Sequence, residues 1–192
     1  MAILSKVGLD EVVSDFADGQ VPDAEARLLT AMCGGVRVTS VYVPNGRSLD
    51  ADHYQYKLAW LARLRAHVAA TSVPSDAVVV AGDFNIAPDD RDVYDPAKFV
   101  DATHVSPPER AELQALCDWS LTDVFRHFHD GANMYSWWDY RAGDFHQGRG
   151  LRIDLVLASA PVLARSTFTL IDRNARKGTS PSDHAPVLID LR

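Results

Sequence analysis

Ala77-Val78-Val79-Val80-Ala81-Gly82-Asp83-Phe84-Asn85 is an apolar, β-branched run that stops on a glycine, a carboxylate and a carboxamide. It reads as a buried strand delivering polar groups to a sheet edge. A second such junction closes the chain, where Ser182-Asp183-His184-Ala185-Pro186 leads into Val187-Leu188-Ile189. Two apolar strands ending on Asp, Asn and His make a poor core and a good site for metal-assisted phosphodiester hydrolysis.

Outward from these strands, Arg27–Cys33 and Val36–Val43 are apolar and β-branched, and Gly34-Gly35 between them predicts a hairpin. Residues 1–5 and 10–16 read as short strands. Tyr54, Leu58, Leu61, Leu64 and Val68 recur at helical spacing over Tyr54–Ala70, with Trp60 and His67 flanking the stripe. Pro108–Trp119 reads as a second helix and Leu121–Phe128 as a short third. Residues 86–107, rich in Asp and Pro, read as an ordered loop, and Asp89, Asp90 and Asp92 as its solvated face. Tyr135–Tyr140 is strand-like, Ala142–Gly150 a loop, and Leu151–Ala158, Arg165–Asp172 and Val187–Leu191 finish the sheet. Strands outnumber helices and many are consecutive, which favours an α/β sandwich over a regular βαβ repeat.

The 192 residues, 47% hydrophobic and 23% charged, suit one domain spanning 1–192 with a sizeable core. No apolar run approaches the ~20 residues of a membrane helix, and no leader pattern opens the chain. Cys33 and Cys117 lie far apart without metal-ligand spacing and read as thiols of a reducing cytoplasm. The net charge of −7 counts weakly against nucleic acid, since Arg141, Arg149, Arg152, Arg173, Arg176 and Lys177 offer a local basic rim.

Four clusters carry candidate chemistry. Asp83 and Asn85 share one side of a strand by alternation, although Asp and Asn are also common in turns. Asp154 interrupts the apolar run Leu151–Ala158 and needs a partner; His184 is the natural one, for acid/base work, for holding a phosphate, or as a structural pair. Tyr42 ends a strand as a phosphate donor or a packing residue. Tyr135-Ser136-Trp137-Trp138-Asp139-Tyr140 offers rings that stack on a base, wall a sugar, or fill the core. The remaining histidines show no ligand geometry.

Taken together, Tyr42-Val43-Pro44-Asn45-Gly46, Gly82-Asp83-Phe84-Asn85-Ile86, Asp123-Val124-Phe125-Arg126-His127, Tyr135–Arg141, Gly150-Leu151-Arg152-Ile153-Asp154 and Ser182–Val187 resemble, in family order, the exonuclease III family of the endonuclease/exonuclease/phosphatase group. The resemblance implies a four-layer α/β/β/α sandwich. It implies a monomeric hydrolase using Mg²⁺, or Mn²⁺ in its place, that removes nucleotides from 3′ ends of double-stranded DNA and cuts at abasic sites. Carried over by motif, Tyr42 and Asn85 contact the scissile phosphate, Asp83 positions or deprotonates water, and Asp154 orients His184. Asp83, Asn85 and Asp183 hold or support the metal. Trp137 and Leu151 wall the abasic sugar, and Arg27, Asn45, Arg141, Arg149 and Arg152 contact DNA.

The family's opening strand with its Asn, and the next strand ending in a Gln-Glu pair whose Glu ligates the metal, have no counterpart here. The chain reads as an N-terminally truncated member, with an exposed sheet edge or apolar face and weakened metal binding expected. Two alternatives follow: an inactive DNA-binding remnant, and a phosphatase or RNA nuclease of the same group.

Overall fold

Strand β4 (Val78–Asp83) lies inside a six-stranded mixed sheet because both of its faces are apolar. The computed structural model describes residues 1–192 other than Ala142. Around β4 the order is β1 (Asp10–Ser14), β2 (Leu28–Cys33), β3 (Val36–Tyr42), β4, β6 (Asp154–Ser159) and β5 (Leu121–Asp123). The β3–β4 pair is parallel and the other neighbours are antiparallel. Gly34-Gly35 turns the β2–β3 hairpin as expected, with both glycines in the left-handed region.

The parallel pair needs a crossover, supplied by helix α1 (Asp52–Thr71). Trp60, Leu61, Leu64 and Val68 of α1, with Leu113 and Leu116 of α2 (Pro107–Cys117), cover one sheet face made by Val41, Val78, Val80, Leu155 and Leu157. Each fully buried Leu or Val there contributes about 1.5–3 kcal/mol, and truncating Leu64 to Ala would cost about 2–5 kcal/mol. Trp60 and His67, expected to flank the helical stripe, lie inside it, and so does Lys57.

The opposite sheet face packs against a two-stranded sheet of β7 (Ser166–Ile171) and β8 (Val187–Leu191). Val187, Ile189 and Leu191 point inward by the period of two, whereas Phe168, Leu170 and Leu188 are left exposed on the small sheet. The architecture is therefore an α/β sandwich with two packed sheets.

Several local expectations need correction. Residues 1–5 form no strand, because none of the described residues offers them a ladder partner. Leu121–Phe128 divides at Asp123, which ends β5 and caps helix α3 (Val124–Phe128) by accepting from the Arg126 N–H. The 135–140 stretch makes only single bridges, from Trp137 to Leu151 and to His184. The 142–150 loop contains a helical turn, α4 (Asp144–Gln147), and a last short helix, α5 (Ala160–Leu163), follows β6. Asp92 is not solvated: it is fully buried. The two cysteines are free, and no described helix is long and apolar enough to cross a membrane.

Candidate active site

Register brings the chemistry together. Tyr42 of β3 pairs with Asp83 of β4, and Asp83 pairs with Asp154 of β6. Directly opposed residues share a face, so the three side chains form a row across three strands. Their neighbours Val41 and Leu155 pack toward the helices, so the row lies on the other face. Gly82 makes this alignment possible: at φ +148°, a Cβ there would sit 2.0 Å from the Val41 carbonyl oxygen.

His184, just before β8, completes the row. Its Nδ1 donates to Asp154, 2.8 Å from Oδ2 and 3.0 Å from Oδ1, and Nε2 has no protein partner among the described residues. Burial disfavours the imidazolium, but the Asp154 hydrogen bond and charge, with Asp83 and Asp183 nearby, outweigh it and raise the His184 pKa. Ser136, which the sequence reading did not single out, fixes this geometry. Its buried hydroxyl accepts from the N–H groups of Ile153 and Asp154, and its carbonyl accepts from Ala185.

Asp83 and Asn85 do meet, but not by strand alternation. The strand ends at Asp83, and Asn85 turns left-handed at φ +50°. Asp83 Oδ1 accepts from the Asn85 N–H at 2.8 Å, and Asn85 Nδ2 donates to Asp83 Oδ2 at 3.1 Å and Val43 O at 3.0 Å. Phe84 between them enters the core. Exposed Asn45 donates to Asn85 Oδ1 at 3.1 Å. His104 places Nδ1 2.6 Å from the Asn85 carbonyl. Buried Lys57 and Glu109 lie beneath the same turn. Lys57, His104 and Glu109 were missed in sequence, although Lys57 sits three residues after Tyr54 on the helix stripe and Ser106-x-x-Glu109 spells a capping box, which forms.

The expected DNA-contacting residues separate into two groups. Trp137 stands beside the row, its indole N–H donating to Asp183 Oδ2 at 3.1 Å. Arg27 stacks over the Tyr42 ring at 4.7 Å. Arg141 is exposed and Arg149 half-buried, paired with Asp144. Leu151 is buried against Trp137, supporting that wall from behind instead of forming its surface. Arg152 is removed from the DNA surface altogether. It is fully buried, with Nε 2.6 Å from Asp92 Oδ1 and Nη2 2.8 Å from Asp123 Oδ2. Arg176 is likewise buried, its guanidinium donating to the Ser182 carbonyl. Arg152 balances two buried carboxylates and cannot reach a phosphate backbone, and Arg176 is tied to a backbone carbonyl.

Burial and the facing Asp154 push the Asp83 pKa up to about 7. That excess of negative charge is what a cation would relieve. No group of three His, Cys, Asp or Glu among the described residues is arranged to cage a metal, and Asp183 spends one oxygen on Trp137. The paired Asp83 and Asp154 fit a hard divalent cation held by one or two protein carboxylates, with the remainder from water and substrate phosphate.

Residues 1–184 match the Endonuclease/Exonuclease/phosphatase family. The chain is 32% identical over 182 residues to exodeoxyribonuclease III of Haemophilus influenzae, covering 88% of this chain and 68% of that protein. It spans only part of the length of the curated relatives it matches, from 68% down to 27%. Among solved structures it superposes on a Neisseria 3′ phosphatase, NExo, bound to a product DNA hairpin, with a TM-score of 0.92 and 36% identity over 98% of this chain and 73% of that one. It also superposes on an AP endonuclease from Archaeoglobus fulgidus with a TM-score of 0.91 and 31% identity, covering 96% and 71%.

Proposed function

This chain belongs to the endonuclease/exonuclease/phosphatase family, and from that membership we propose that it hydrolyses phosphodiester bonds of duplex DNA, at abasic sites and from 3′ ends. The observation that carries the reading is the row Tyr42–Asp83–Asp154, closed by His184.

Asp83 orients a water for in-line attack and accepts its proton as the new P–O bond forms. The His184 Nε2–H donates to a non-bridging phosphate oxygen, and Asp154 stabilises the ring's positive charge from behind. The Tyr42 hydroxyl donates to the same phosphate from the outer end of the row. Asn85 is the polar group beside Asp83, and Asn45 ties its loop to it. Trp137 offers an apolar wall to a sugar that lacks its base, while Arg27 and Arg141 face the DNA backbone. The bond that breaks joins phosphorus to the 3′ oxygen of the leaving strand. Asp83 and Asn85, with Asp183 close by, would hold a divalent cation, which supplies Lewis-acid stabilisation of the phosphoryl charge when bound.

Likeness to the Neisseria 3′ phosphatase favours a second reading, removal of a 3′-phosphate by the same groups. Both are tested with duplexes carrying a central tetrahydrofuran abasic analogue or a 3′-phosphate, in Mg²⁺. Cutting of the first supports the nuclease reading, and release of phosphate from the second alone supports the phosphatase. Asp83→Ala and His184→Ala should each lower the rate by about 10²–10⁴-fold. Unchanged rates in both would remove the site assignment.

A further inference from the structure

Lys57 and Glu109 form an ion pair in which both side chains are fully buried. Such a pair seldom stabilises a fold better than two apolar residues of the same size. What distinguishes this pair is where its other hydrogen bonds go. Lys57 Nζ donates to the Asn85 carbonyl at 2.7 Å and to the Asn45 carbonyl at 3.3 Å, so all three ammonium protons have acceptors. Glu109 Oε1 accepts from Thr103 Oγ1 at 3.2 Å and from the His104 N–H at 3.1 Å. Its Oε2 accepts from the N–H and the hydroxyl of Ser106.

Three loops thus converge on one ion pair: Pro44–Arg47, Asp83–Asn85 and Thr103–Ser106. Each loop holds a non-glycine residue in the left-handed region, Arg47 at φ +62°, Asn85 at φ +50° and His104 at φ +77°, and Asn85 is the one beside Asp83. The Asn85 carbonyl receives two donors, Lys57 Nζ and His104 Nδ1. The lysine stem also packs under the Asn45 loop, where a Cβ at Gly46 would lie 3.2 Å from Lys57 Cδ. An apolar pair could fill this space but would leave the Asn85 carbonyl to His104 Nδ1 and the Asn45 carbonyl to Thr103 Oγ1, with no group joining the two loops through one atom.

Resting on the nuclease reading above, we propose that Lys57 and Glu109 are positioning residues for the reaction: they clamp the left-handed Asn85 turn and the Asn45 loop so that Asp83, Asn85 and Asn45 meet the substrate phosphate as one rigid unit. Neither touches substrate. Misplacing reacting groups by about 1 Å from a distance costs on the order of 10²-fold, which sets the expected effect.

The test compares Lys57→Met and Glu109→Gln with Leu64→Ala, a core truncation two turns along the same helix, after matching the loss in melting temperature by adjusting the assay temperature. Readouts are kcat and KM on the abasic duplex and hydrogen–deuterium exchange over residues 83–87. The clamp predicts a kcat lower by about 10²-fold in Lys57→Met with KM changed less than about threefold. It also predicts faster exchange over 83–87 and a smaller kcat loss in Glu109→Gln, which keeps acceptor and shape. Leu64→Ala should show neither effect. A Lys57→Met kcat within about threefold of the parent, or one matched by Leu64→Ala, overturns the proposal. If Lys57→Met does not fold, Glu109→Gln decides by exchange: faster exchange over 83–87 than in Leu64→Ala upholds the clamp, and unchanged exchange overturns it. If the parent chain cuts no DNA, the nuclease reading fails. The exchange comparison then stands alone: faster exchange at 83–87 in Lys57→Met upholds the clamp, and unchanged exchange overturns it.

Discussion

Replacing Asp92 with Asn removes one charge and almost no volume. Asp92 is fully buried and is shared by two guanidiniums: Arg152 Nε lies 2.6 Å from Oδ1 and Nη2 3.1 Å from Oδ2, and Arg126 also pairs with Oδ1. The only other carboxylate facing Arg152 among the described residues is Asp123, at 2.8 Å. With Asn at position 92, Arg152 keeps only Asp123, the Arg126 guanidinium keeps no carboxylate among the described residues, and an amide N–H₂ points toward a donor. Breaking a buried pair by removing one partner costs about 3–5 kcal/mol. For a chain of this length each kcal/mol moves the melting temperature by about 2–4 °C, so a fall of about 6–20 °C is expected. Thermal melts and urea unfolding in low and high salt would measure it. The loss should be nearly independent of salt, because the pair is dry. A loss below about 1 kcal/mol, the ceiling for exposed pairs, or one that vanishes in high salt would refute the buried-network argument.

Gly82→Ala should lower stability by at least about 1–3 kcal/mol, since its Cβ would lie 2.0 Å from Val41 O; a melting temperature within about 1 °C of the parent would contradict this. His67 is held neutral: Nδ1 accepts from the Ala17 N–H at 2.9 Å, Nε2 faces Thr30 Oγ1 at 3.0 Å, and burial lowers its pKa. Above the unfolded pKa of about 6.5 it adds no pH dependence, and as pH falls below that value the unfolded state binds a proton the folded state refuses, so stability falls until the folded pKa is reached. Urea midpoints at several pH values should show this slope in the parent and less of it in His67→Gln; equal slopes would remove His67 as the cause. Chelation by EDTA should abolish cleavage, and Mg²⁺ near its Kd should raise the melting temperature by about 1–2 °C, since one site binding only the folded chain gives about 0.4 kcal/mol there. Cleavage that survives EDTA would refute metal dependence.

The strands and long helices were legible because their signals are local. Val78–Val80 is a β-branched run, Gly34-Gly35 carries turn chemistry, and the α1 stripe repeats at helical spacing. The row was half legible: each member ended or interrupted an apolar run, but only pairing register set Tyr42 beside Asp83 and Asp83 beside Asp154. Arg152 and Asp92 were misread because their partnership spans 60 residues, and a charge in a basic or acidic stretch looks solvated until its partner is seen. Asn85 meets Asp83 through a backbone conformation that alternation does not describe. Lys57 and His67 could have been found, since each occupies a core position of the helix stripe and a polar residue there must have a partner.

Asp83 and Asp154 oppose each other directly across β4 and β6. Like charges in that relation weaken a strand pair, so one end of the central ladder resists its own closure. The other end, Val79 against Ala158, is apolar and buried. Assembly of β4 on β6 is therefore expected to run in one direction, zipping from the buried end and closing the acidic end last. Conservative changes at Val80 should slow folding, whereas Asp83→Asn should act mainly on unfolding. The order of events in the folding of this sheet would then be written in the same two carboxylates that its chemistry uses.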